Sequence, residues 1–197
     1  MKNIIILFSV LFLASCSKDE PTLEIDQEEL STATLLFTPV EEKLINGEVQ
    51  FIPDTHEDIQ TVKFTGSQLA PEIGSHVDLA VGHIYQLDLK TTDFLGRESQ
   101  QSFLTRATTH QAFLLGTPDE AISFRYGDDQ VGVKAYIKIL KPSNKSTWQY
   151  IMRHLNNGVK ERINASDWDN TNYNKFTGAN DLQLSFEVHL VENHHHH

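Results

Sequence analysis

From residue 31 onward the apolar positions of the chain recur at every second residue. In "TATLLFTP" Leu35 and Phe37 share one face, in "EVQFIP" Val49 and Phe51, and in "TVKFTG" Val62 and Phe64. "IYQLDLKT" sets Tyr85, Leu87 and Leu89 against Gln86, Asp88 and Lys90, and "AISFRYG" groups Ile122, Phe124 and Tyr126. The cleanest runs are "VGVKAYIKIL", with Val131, Val133, Ala135, Ile137 and Ile139 together, and "LQLSFEVHLV", with Leu182, Leu184, Phe186, Val188 and Leu190. Such alternation marks strands with one buried face, the pattern of antiparallel sheets. Between the runs stand turn-forming clusters, "PDTHED", "DFLGRE" and "NNGVKERINASDWDNTN".

Short alternating strands separated by such punctuation predict an all-β protein, an antiparallel immunoglobulin-like (Greek-key) sandwich of about eight strands. No internal repeat stands out. One segment, "TWQYIMRHLNNG", fits two templates. As a strand it aligns Trp148, Tyr150, Met152 and His154. As a helix it aligns Trp148, Ile151, Met152 and Leu155, capped by Thr147 and stopped by Gly158. The choice decides where His154 points.

The N-terminus follows a different rule. Lys2 precedes the apolar run "IIILFSVLFL", Ile4 to Leu13, which has the build of a secretory signal. It is too short to span a bilayer, which takes roughly 20 apolar residues. The "LASC" that follows resembles the bacterial lipobox, which implies acylation of Cys16, the only cysteine, as the first mature residue. The alternative, cleavage near Ala14, leaves an exposed lone thiol in an oxidising compartment. Each buried acyl methylene contributes about 0.8 kcal/mol, so two or more chains anchor stably. Lys18, Asp19 and Glu20 resemble the signal that sends lipoproteins of Bacteroidota to the outer face of the outer membrane. A solvated tether, with a periplasm-facing anchor, is the other reading. The expected organisation is signal peptide 1–15, acylated acidic tether 16–30, β-sandwich 31–192 and histidine tail 193–197.

Removal of residues 1–15 takes Lys2 away, leaving 15 basic against 27 acidic residues and a net charge near −12 with histidine neutral. That balance excludes nucleic acid as a partner, since cation–phosphate contacts dominate such binding. It favours cationic ligands.

Chemistry-bearing motifs are scarce. There is no phosphate loop, dinucleotide fingerprint, Gly-x-Ser-x-Gly elbow or His-Glu-x-x-His, and the expectation is a non-enzymatic protein. The carboxylate pairs Asp128–Asp129 and Asp167–Asp169 sit in turn-like contexts, where Asp accepts hydrogen bonds from the turn backbone. Of ten histidines, four form the tail at 194–197, either a purification tag or a native metal-collecting segment. His56, His76 and His83 read as polar loop residues. Glu187 and His189 share the polar face of the last strand and offer a weak pair of metal ligands.

From Ser31 to Glu192 the chain resembles a family of Bacteroidota lipoproteins associated with TonB-dependent receptors. The resemblance rests on "ATLLFTP", "HIYQLDLK", "THQAFLL", "FRYGDDQVGV", "YIMRHLNN" and "TGANDLQLSFEVHL", in that order. It departs at Ala112, where an aromatic is usual, and at Asn180, where Thr is expected. The family pattern implies a strand over 147–155 and singles out His110, His154 and Asp181, at strand ends, as a constellation. It implies an accessory role at an outer-membrane transporter. Together with the acidic charge, the histidines and the lipid anchor, it leads to the expectation that these three are ligands for Zn²⁺ or another transition metal. The alternative is a structural or glycan-binding interaction module, with Trp168 and Tyr173 stacking on a sugar and Asn170 and Asn172 bonding its hydroxyls.

Overall fold

The structure, a computed structural model, describes residues 30–192. The expectations for Cys16, Lys18, Asp19, Glu20 and the histidine tail lie outside the described residues. The strands are β1 (Leu30–Ile45), β2 (Glu48–Pro53), β3 (Gln60–Thr65), β4 (Ala70–Pro71), β5 (His76–Ala80) and β6 (Ile84–Asp93). After a short helix, α1 (Gln101–Thr105), come β7 (His110–Leu115), β8 (Ile122–Tyr126), β9 (Lys134–Ile139), β10 (Ser143–Leu155) and β11 (Gly178–Val191).

These make the expected all-β sandwich. One sheet runs β4-β3-β1-β6-β9-β8 with β2 paired to the end of β1, and the other runs β5-β11-β10-β7. All neighbours are antiparallel except β5 and β11. Among the described residues the strands number eleven rather than about eight, for local reasons. β4 has two residues, and β7 is buried on both faces and so shows no alternation. β5 hides its Val77 and Leu79 between the polar His76 and Asp78.

The inward faces meet in one core, where Phe186 of β11 sits about 6 Å from the rings of Phe37, Phe64 and Trp148. Each such aromatic or aliphatic side chain contributes about 1.5–3 kcal/mol when fully buried. The segment 147–155 is strand, not helix: Trp148, Tyr150 and Met152 enter this core. Alternation misleads in "EVQFIP". There Asn46 and Gly47, at φ 54° and 85°, make a two-residue turn that folds β2 onto the protruding half of β1, leaving Val49 exposed.

The long polar stretch after β10 is not a free loop. Val159, Ile163 and Phe176 bury against Phe113 and Leu155 on the outer face of β7 and β10, making a second, smaller core. Three turns of 3₁₀ helix carry the chain across it. Arg153 ties this cap to the sheet. Its Nε donates to the Phe176 carbonyl (2.8 Å), Nη1 to Asn180 Oδ1 (2.6 Å) and Nη2 to the Gly178 carbonyl (3.0 Å).

Candidate metal centre

β7 and β10 pair so that His110 and His154 are direct cross-strand partners, with ring centroids 4.7 Å apart. The third member arrives by an irregularity. Along β11, strict alternation from Leu182 would put residue 180 on the core side and Asp181 outside. The β10–β11 register instead shifts, with Met152 opposite Leu182 but Arg153 opposite Asn180. That bulge leaves Asp181 over, turned toward the histidines, while Asn180 faces out to Arg153. Next to it the strands approach so closely at Gly178 that a Cβ there would collide with the His154 carbonyl oxygen.

The three side chains place one ligand atom each within 4.8 Å of the others. Their distances are 2.9 Å for His110 Nε2 to Asp181 Oδ2 and 3.9 Å for His154 Nδ1 to the same oxygen. His110 Nδ1 lies 3.0 Å from the Arg106 carbonyl, an atom that only accepts, so Nδ1 carries a hydrogen. A neutral His110 therefore aims the lone pair of Nε2 at a carboxylate. Two acceptors at 2.9 Å require a cation between them, either a proton or a metal. Pinning the distal nitrogen by a carbonyl is also how metal-binding imidazoles are oriented.

The side chains of His110 and Asp181 are 2% and 9% exposed, whereas His154 is 24% exposed and forms the mouth. Phe103 of α1 closes the other side, its ring centroid 5.4 Å from that of His110. Lys160 holds the floor, its ammonium donating to the carbonyls of Ala107 (2.5 Å), His110 (2.8 Å) and Asp129 (2.9 Å). Burial pushes its pKa down to about 8.

The remaining sequence candidates are dispersed. Glu187 and His189 do meet, on the outer face of β11, with His189 Nε2 2.9 Å from Glu187 Oε1. Hydrogen bonds from Lys145 and His189 hold the Glu187 carboxyl below the usual carboxylate range. His76, expected in a loop, opens β5 and stacks on His189 at 4.8 Å. Trp168 lies flat on Phe124 (5.0 Å between centroids), and Tyr173 packs on Phe113 beneath Arg153. Asn170 donates to Asp167 (2.8 Å) and accepts from the Asn172 amide (3.0 Å). Both aromatic rings and Asn170 thus already serve the cap. Asp128 accepts from the amides of Val131, Gly132 and Lys134, and Asp167 closes a capping box with Asn164, both as turn residues do.

Sequence reasoning missed Asp78, Lys160 and α1. The alternation "HVDLA" could have found β5, but nothing local reports which strand it joins. No protein-family model and no curated protein matches the chain. Fold and geometry therefore define a class and no more: an all-β sandwich with a His–His–Asp cluster at one rim.

Proposed function

We propose that the protein is a non-enzymatic binding lipoprotein that captures a borderline divalent metal ion, or a complex of one, through His110, His154 and Asp181. One observation carries this reading: His110 Nε2 and the Asp181 carboxylate face each other as two acceptors, with Nδ1 already committed to the Arg106 carbonyl. Zinc bonds of about 2.1 Å at tetrahedral angles separate neighbouring donors by roughly 3.4 Å. The distances from Asp181 to His110 and His154, 2.9 and 3.9 Å, bracket that value, and all three ligand atoms lie within 4.8 Å of one another. Three protein ligands leave a coordination position toward the His154 side, where a small chelator could attach.

The acidic surface supports the reading by favouring cations. The apolar N-terminal segment, the lipobox-like residues ending at Cys16 and the family resemblance support a reading at the outer membrane, presented to the cell surface, as an accessory to TonB-dependent uptake. The second reading is an interaction module in which a proton bridges His110 and Asp181 and the pair merely holds strand ends. The favouring observation is the 2.9 Å separation, which suits a direct hydrogen bond.

The test is a titration of the chain lacking residues 194–197 with Zn²⁺, Cu²⁺ and haem. Capture at this site requires binding that is lost in His154→Ala. If His154→Ala binds as wild type does, the interaction module replaces it, and pull-downs of membrane receptors and glycans become the next step.

A further inference from the structure

A second cluster lies at the other end of β11, on the opposite face of the sheet. The parallel register of β5 and β11 sets Glu187 beside His76 and His189 beside Asp78, a square of four polar side chains on the solvent face. His189 Nδ1 is 3.0 Å from Asp78 Oδ1, and His76 Nε2 is 3.8 Å from the same oxygen. The ligand atoms of His76, Asp78 and His189 all fall within 4.8 Å of one another.

The distal nitrogens carry the argument further. His76 Nδ1 lies 3.1 Å from the Gly74 carbonyl, which only accepts, so that nitrogen holds the hydrogen and Nε2 offers a lone pair. His189 Nε2 lies 2.9 Å from Glu187, whose other oxygen is ion-paired with Lys145. With the hydrogen on Nε2, His189 turns a lone pair on Nδ1 toward Asp78. Two imidazole lone pairs and a carboxylate then converge on one point. A carboxylate behind a histidine is the arrangement that orients metal ligands and raises their basicity. Asp78 is held as well: Gln60 bonds both its backbone amide and its carbonyl, closing the free edge of β5.

We propose that His76, Asp78 and His189 form a second, solvent-open site for a borderline divalent transition metal such as Cu²⁺ or Zn²⁺, with Glu187 as the positioning residue. Side-chain exposures of 43%, 48% and 30% leave the remaining coordination positions to water or an arriving chelator. A bound ion also staples the short edge strand β5 to β11. The site is independent of the one at the far end of the strand.

Cu²⁺ titration of the chain lacking residues 194–197, read by calorimetry and by nitrogen hyperfine splitting in electron paramagnetic resonance, tests it. The expected result is one equivalent lost in both His76→Gln and His189→Gln, with the β circular dichroism unchanged because neither side chain enters the core. His154→Ala should leave that equivalent in place, so failure of the rim site and failure of this one are distinguishable. Glu187→Gln should weaken binding about 10- to 100-fold while retaining the two-nitrogen signature. Unchanged stoichiometry and spectrum in both His76→Gln and His189→Gln would overturn the proposal.

Discussion

Asp181 and His189 stand at opposite ends of β11, eight residues apart, which at strand rise is roughly 26 Å. Each is the hub of a cluster with two imidazoles and an aspartate, and each pins a histidine nitrogen with a carbonyl: Arg106 for His110, Gly74 for His76. What differs is the surrounding medium. At the rim cluster a bulge turns the carboxylate inward, Phe103 walls one side and Lys160 ties down the floor. At the edge cluster the same groups stand on the outer face of two strands with water over them. Identical ligand chemistry is thus set at two levels of enclosure. A charge unmatched at the rim faces little solvent, whereas one unmatched at the edge is hydrated at once.

The largest test of that contrast is Asp181→Ala. It leaves the buried His110 Nε2 without its partner, and an unsatisfied buried polar group costs up to about 3 kcal/mol. Urea denaturation of the wild type and variant measures it. Equal, small losses in Asp181→Ala and Asp78→Ala would mean the two clusters are not differently enclosed.

Lys160→Met comes next. It removes three hydrogen bonds from one ammonium, with an expected loss of about 2 kcal/mol. Its pH dependence has a definite sign. The folded pKa, about 8, lies below that of an unfolded lysine, about 10.4. The unfolded chain therefore binds more protons between these values, and this group makes stability rise with pH across that window. As pH falls through 8 the gain is gone. A series of urea melts from pH 7.5 to 10 should show a rising component in the wild type that Lys160→Met lacks. Parallel profiles would assign the ammonium an ordinary, solvated environment.

Metal exchange sharpens the comparison without mutation. On addition of a chelator to the loaded protein, the edge ion should leave in a fast phase and the rim ion in a slower one, because its release requires the mouth at His154 to open. A single phase would contradict the difference in enclosure. Smallest of all is Asp78→Ala without metal, a surface change expected to alter stability by less than about 0.5 kcal/mol.

Most strands were legible because a half-buried strand must alternate, and Leu182 to Leu190 or Tyr85 to Leu89 do so without exception. Legibility failed where a strand is covered on both faces. β7 carries buried residues at every position from His110 to Leu114, and at β10 Ile151 and Arg153 are buried on the outer face just as Tyr150 and Met152 are on the core face. Periodicity there carries no sign of which face is which, so "TWQYIMRHL" fitted helix and strand alike. The resemblance, not the alternation, chose the strand.

The candidate sites divide along the same line. Their residue types, and the Glu187–His189 pair, follow from the sequence, because residues two apart on a strand must share a face. The rim triad came from the resemblance, since alternation alone directs Asp181 outward. Only the tertiary structure joined His76 and Asp78 to His189 across more than 100 residues of chain, by a parallel register that no local pattern encodes. Only it turned Asp181 inward, because a bulge is a mismatch between two strands and exists in neither one alone. The sequence by itself determined the all-β class and the supply of ligands. Enclosure and convergence, which decide what those ligands can hold, were properties of strand pairing.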